Sequence, residues 1–172
     1  MSTDDALNDL QSALERIKAV LPERIGQWVS ELVAAHLVTK VNLFTLAAVM
    51  DRESNGASPH LHGADGHGKG LMQIDDRYHK SFCQAQFDTG ALLVYDAGFN
   101  TLYGSYLLRR NLEGAGGDYP TAIAGYNCGL SRAKLTARMA DAALKIKVLD
   151  QVTEGRNYVS DVLRRQAQFE KE

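Results

Sequence analysis

LFTLAAVMDRES (Leu43–Ser54), running into NGASPHLHGADGHGKGLMQID (Asn55–Asp75), decides the reading of this chain. The first segment is apolar nearly all round, at Leu43, Phe44, Leu46, Ala47, Val49 and Met50, as in a helix that runs through a core. It ends on a carboxylate. Glu53 follows Met50 by three residues and Val49 by four, so helical geometry places its side chain on their face, near the helix C-terminus. Desolvation and the negative end of the helix dipole both disfavour the anion and raise the pKa. A carboxyl group that keeps its proton near neutral pH can serve as a general acid. From position alone, a surface glutamate at a frayed helix end, between Arg52 and Ser54, has an equal claim.

The second segment breaks the helical texture. Gly56 to Gly70 holds five glycines, Pro59 and three histidines, a composition that cannot sustain a regular helix. Leu71 to Asp75 reads as a short strand, so a small hairpin is expected there.

Helices are expected on both sides of this region. Leu7, Leu10, Leu14, Ile17 and Leu21 recur at helical steps, with Thr3 to Asp5 as capping candidates and Pro22 as a stop. Ile25, Trp28, Val29, Leu32, Val33 and His36 repeat the pattern in a second helix. About Ala97 to Leu112 forms another, with Phe99, Leu102, Tyr103, Tyr106 and Leu107 on one face. Pro120 suits the first turn of a helix from Tyr119 to Asn127, and a last one spans about Arg156 to Glu170 with Tyr158, Val159, Val162 and Leu163 inward. The expected architecture is mainly α: one α+β domain over residues 1–172, with N-terminal helices (1–40) packing on a catalytic core (41–172).

Composition agrees with such a domain. The 172 residues are 45% hydrophobic and 23% charged, enough for a proper core. A net charge of -2 gives none of the basic surplus of a nucleic-acid binder. Cys83 and Cys128 form neither a disulfide framework nor a CxxC metal site and are expected as free thiols. MSTDDALNDL lacks the basic start and apolar run of a signal peptide. The expectation is a protein made in the cytoplasm, not inserted in a membrane, that reaches its target at phage lysis or through a secretion system.

Beyond Glu53, the ordered segments RES, GLMQID (Gly70–Asp75), DRYHK (Asp76–Lys80), AIAGYNCG (Ala122–Gly129) and NYVSDVLRRQAQF (Asn157–Phe169) together resemble the goose-type lysozymes and their relatives, the lytic transglycosylases. The resemblance runs from about Leu43 to Phe169. It implies a lysozyme-like fold and cleavage of the β-1,4 bond between N-acetylmuramic acid and N-acetylglucosamine in peptidoglycan strands, without a cofactor. By the same resemblance Glu53 is the general acid, and Ser54, Gln73, Tyr126 and Asn127 shape the sugar site. Tyr158 and His79 fall on groove or supporting positions, with core packing the plainer reading for the tyrosines.

The second carboxylate decides the reaction. Inverting hydrolysis needs one about 6.5–9.5 Å from the acid to activate a water. A lytic transglycosylase does without it, because the muramic sugar's own hydroxyl attacks and an anhydro sugar forms. Asp75 matches the goose-type aspartate without a gap, and Asp65 matches with a one-residue difference in loop length. Asp76 should point the other way in an extended stretch. The expectation is an inverting hydrolase in which Asp75, helped by Asp65, positions water. Transglycosylation is the alternative, and a non-catalytic peptidoglycan- or protein-binding module is the third reading.

Two further patterns compete in the glycine-rich region. GADGHGKG (Gly63–Gly70) approaches a phosphate-binding P-loop but ends in glycine where a hydroxyl is needed. His60, His62, His67 and Asp65 could imitate a zinc site, though a loop without a rigid scaffold seldom fixes metal geometry. Solvated loop side chains and no bound metal are the expectation. A monomer is expected, and an inhibitor or immunity partner would leave no mark in the sequence.

Overall fold

The computed structural model describes residues 3–138, 141 and 144–171. Ten α-helices, two short 3-10 helices and one two-stranded sheet succeed one another along them. The central element is α4 (Leu43–Ser54), whose residues from Thr45 to Asp51, together with Ser54, are all buried. Asn42 starts it by accepting a hydrogen bond from the Thr45 amide at 2.9 Å. α10 (Tyr158–Phe169) packs along α4 and turns Tyr158, Val159, Val162 and Phe169 inward. α3 (Val29–Thr39) packs against α6 (Ala97–Gly114), which in turn packs against α7 (Tyr119–Cys128).

α1 (Thr3–Ala19) departs from the expected inward stripe. Leu7 and Leu10 stand 60% and 52% exposed, and the helix meets the core through Ile17 and the following Leu21. The side chains of Thr3 and Asp4, two of the capping candidates, lie outside the described residues. The second expected helix is two elements, α2 (Glu23–Gly26) and α3, with the break at Gln27–Trp28. That break does structural work. Trp28 Nε1 and Gln27 Nε2 both donate to the Gly56 carbonyl, at 2.8 and 3.1 Å, and so pin the chain as it leaves α4.

α6 is rotated from its expected face. Its buried residues include Asn100, Thr101, Ser105 and Asn111 as well as Leu107, Leu108 and Leu112, while Phe99 and Tyr106 are exposed. The buried asparagines explain the choice. The Asn100 carboxamide accepts from the Met72 amide at 2.8 Å and donates to the carbonyls of Lys69 and Val94 at 3.0 and 2.8 Å. The Met72 amide and the Val94 carbonyl are buried backbone groups, one in the turn between the strands and one in the short turn Leu93–Tyr95, and such groups need partners.

The hairpin itself is shorter than expected. β1 (Gly68–Lys69) pairs antiparallel with β2 (Ile74–Asp75), Gly68 opposite Asp75 and Lys69 opposite Ile74. Leu71 to Gln73 is a turn and not a strand, because Gly70 and Gln73 both take positive φ, +73° and +48°. A Cβ on Gly70 would lie 2.4 Å from Asn100 Nδ2, so only glycine fits beneath that carboxamide. A turn and β2, not a helix, directly follow the GADGHGKG segment, which removes the strand-loop-helix context of a P-loop.

Helices α5 (Lys80–Gln84), α8 (Leu130–Arg138) and α9 (Lys145–Val152) were not anticipated. α8 buries only Ala133, and its apolar stripe is too thin to show in the sequence. Both cysteines are free thiols. None of the described helices is long and apolar enough to cross a membrane.

Candidate active site

A groove of about 750 Å³ opens over the C-terminal end of α4. Three stretches line it: Arg52 and Glu53; Leu61 to Asp65 with Gly68, Gln73, Asp75 and Arg77; and Tyr126, Asn127, Glu154, Gly155 and Tyr158.

Glu53 is half-buried. The helix beneath it closes on Asn55 in the left-handed region, whose amide donates to the Asp51 carbonyl. Gly56 follows at φ +64°, where a Cβ would sit 2.2 Å from the Arg24 carbonyl oxygen. The backbone therefore leaves α4 along one path. Tyr158, from α10, donates its hydroxyl hydrogen to Glu53 Oε1. Loss of hydration raises the Glu53 pKa from 4.5 to about 7; the Tyr158 hydrogen bond and the Arg52 charge pull it down, and the Glu154 charge pushes it up. The outcome is an acid that holds its proton near neutrality in a water-accessible groove.

Arg52, the chain neighbour of Glu53, is anchored on α10 and the residue before it. Its guanidinium donates to Asn157 Oδ1 at 3.2 Å, pairs with Asp161 at 3.7 Å and lies over the Tyr158 ring at 5.7 Å. Behind it, buried Asp51 accepts from Arg24 Nε at 2.9 Å and from Arg165, which also reaches Asp161. This network ties α4 to α10 directly beneath the acid and its tyrosine.

Tyr126 donates to the Met72 carbonyl at 2.8 Å, joining α7 to the GLMQ turn. Asn127 accepts from the Glu154 amide at 2.8 Å and so fixes the turn that carries Glu154 and Gly155 into the groove. Gln73 bends back to donate to the Gly70 carbonyl at 2.7 Å. Its Oε1 lies where Cβ atoms on Gly63 or Gly68 would stand, at 2.9 and 2.5 Å, so those glycines make room for it.

Asp75 is engaged at both oxygens by one residue. Its Oδ1 accepts from the Arg77 amide at 2.9 Å and from Nε at 3.0 Å, and its Oδ2 accepts from Nε at 3.1 Å and Nη2 at 2.5 Å. Arg77 Nη2 reaches on to Asp65 Oδ2 at 3.2 Å. The Arg77 hydrogen bond holds the Asp75 carboxyl below its ordinary range. Asp65 is lowered too, first by the His67 amide hydrogen bond and then by the Arg77 charge.

Of the residues expected at the site, Glu53, Asp65, Asp75, Gln73, Tyr126, Asn127 and Tyr158 come together in the groove. Ser54 and His79 do not line it. Ser54 is buried, donating to the Met50 carbonyl and accepting from the Gly56 amide, both at 3.1 Å, and so finishes the helix end. His79 lies 3.3 Å from the Tyr103 hydroxyl, edge-on to a ring that stacks on Phe82. Burial lowers its pKa and favours neutral imidazole. Arg52, Arg77, Glu154 and the supporting Asn100 were missed. Arg77 stood inside the DRYHK segment, two residues after Asp75, where an i, i+2 ion pair was open to inference.

The zinc-like grouping is not assembled. His62 instead meets Lys69 Nζ and the Tyr95 hydroxyl, each at 3.2 Å. Among the described residues, His67, Asp75 and Asp76 do bring ligand atoms within 4.8 Å of one another. Asp76 is already paired with His67 at 2.8 Å and Lys69 at 3.3 Å, and Asp75 with Arg77.

The family model described as "Transglycosylase SLT domain" matches residues 33–149. No curated protein matches the chain. Among solved structures it is similar to the lytic transglycosylase Slt of Pseudomonas aeruginosa, determined by X-ray as an inactive mutant, with a TM-score of 0.67 and 19% identity. The alignment covers 81% of this chain and 23% of that one, so this chain spans less than a quarter of its relative's length. The likeness establishes the fold as lysozyme-like α+β.

Proposed function

The chain belongs to the transglycosylase SLT domain family, and from that premise we propose that it cleaves the β-1,4 bond between N-acetylmuramic acid and N-acetylglucosamine in peptidoglycan strands, leaving an anhydro-muramic end. The carrying observation is Glu53, a carboxylic acid with a pKa of about 7 in a large open groove, hydrogen-bonded by Tyr158.

The protonated Glu53 carboxyl donates to the glycosidic oxygen as the bond from the muramic anomeric carbon breaks. Glu53 is then an anion, and Tyr158 already donates to that carboxylate. The muramic sugar's own hydroxyl attacks the anomeric carbon and returns its proton to Glu53, restoring the acid for the next bond. Glu154 opposes any lasting charge on Glu53, favouring its reprotonation.

This reading replaces the inverting hydrolysis expected from Asp75 and Asp65. A general base needs free lone pairs and adequate basicity. Arg77 engages both Asp75 oxygens and lowers the carboxylate's basicity, and it tethers Asp65. Family membership supports the same reading.

The test is release of soluble fragments from purified peptidoglycan. Wild-type protein should release them, and Glu53→Gln should not while keeping its helical content. Equal release by the two proteins would remove Glu53 from the mechanism. Binding without release by the wild type would make the chain a binding module.

A further inference from the structure

Resting on the transglycosylase reading, we infer that Arg77 decides the product: it withholds Asp75 and Asp65 from water, so that cleavage initiated by Glu53 ends in an anhydro sugar and not in hydrolysis. An ionised carboxylate offers about four lone-pair sites. Three N–H donors of Arg77 engage Asp75: the amide at 2.9 Å, Nη2 at 2.5 Å, and Nε shared between Oδ1 and Oδ2 at 3.0 and 3.1 Å. The same Nη2 reaches Asp65 at 3.2 Å, while the His67 amide occupies Asp65 Oδ1 at 3.0 Å. A planar guanidinium can make this forked arrangement; a lysine ammonium cannot.

The two outcomes share their first half. Glu53 gives its proton to the leaving oxygen and the anomeric C–O bond breaks. In the anhydro outcome the sugar's hydroxyl oxygen bonds to the anomeric carbon and its proton passes to Glu53. In hydrolysis a water oxygen bonds there, one water proton passes to a carboxylate, and the product carries one more water. Asp75 lines the groove and would be that base once released. Arg77 is thus a positioning residue acting through Asp75.

Arg77→Gln, Arg77→Lys and the double variant Arg77→Gln/Asp75→Asn are compared with wild type on purified peptidoglycan in heavy-oxygen water. The readout is the share of labelled, hydrated muramic ends among all ends formed. A positioned general base contributes about 100-fold or more to water attack, so Arg77→Gln is expected to raise the hydrated share by about tenfold or more. Arg77→Lys should raise it less. The double variant should return it to the wild-type value.

A hydrated share in Arg77→Gln no greater than in wild type overturns the inference while leaving the transglycosylase reading intact. So does a raised share that persists in the double variant. Should Arg77→Gln not fold, Arg77→Lys decides alone by the same comparison. Labelled hydrated ends as the main wild-type product overturn the transglycosylase reading itself, and this inference with it.

Discussion

Replacing Glu53 with glutamine should stabilise the protein at pH 8 relative to pH 4, measured against wild type. The folded protein raises the Glu53 pKa from 4.5 to about 7, chiefly by burial. Below the unfolded value both states hold the proton, and the group adds no pH-dependent cost. Between about 4.5 and 7 the unfolded chain releases its proton while the folded chain keeps it, so wild-type stability falls as pH rises. Above about pH 7 the loss levels off at about 3 kcal/mol, on the scale of 1.36 kcal/mol per pKa unit. Glutamine, of the same shape and neutral throughout, removes that loss. The assay is urea unfolding of both proteins at half-unit steps from pH 4 to 8.5, with stability taken from midpoint and slope. Other carboxylates titrate in both proteins and cancel in the difference. The expected difference is flat near pH 4, grows in favour of Glu53→Gln through the interval, and plateaus above pH 7. A difference constant from pH 4 to 8.5 would falsify the raised pKa and the burial argument behind it.

Peptidoglycan cleavage should fall as pH rises through about 7, to about a tenth at pH 8, because the protonated acid is the active form. Tyr158→Phe removes a hydrogen bond that lowers this pKa and should move the alkaline limb upward, whereas Glu154→Gln should move it downward; pH profiles of kcat/KM check both. Asp51→Ala should cost about 3 kcal/mol, the lower end for breaking a buried ion pair because Arg24 can turn to solvent, as read by urea unfolding. Asn100→Ala strands the buried Met72 amide and Val94 carbonyl, and should cost about 3 kcal/mol while reducing cleavage at an unchanged alkaline pKa.

The parts of the site legible in the sequence were those set by local geometry. An apolar helix ending at Glu53 needs only the three- and four-residue spacing to Met50 and Val49, and the folded chain keeps that placement. Tyr126 and Tyr158 were legible through motifs, though their distinct roles were not: one anchors the GLMQ turn and the other bonds the acid. The misreadings have tertiary causes. α6 looked as if its aromatic stripe faced inward, but loop backbone groups demanded partners, and Asn100 was buried to supply them. Leu71 to Asp75 looked extended until Gly70 and Gln73 turned it. Asp75 had the right identity and the right groove, yet its chemistry depends on where a flexible arginine side chain settles. Neither motif nor periodicity reports that.

The most direct test of the central claim is mass spectrometry of muropeptides released from purified peptidoglycan in heavy-oxygen water. The expected wild-type product is an unlabelled anhydro-muramic end, one water lighter than the hydrolytic product, with no release by Glu53→Gln. Labelled reducing muramic ends from the wild type, or anhydro ends from Glu53→Gln, would contradict the account.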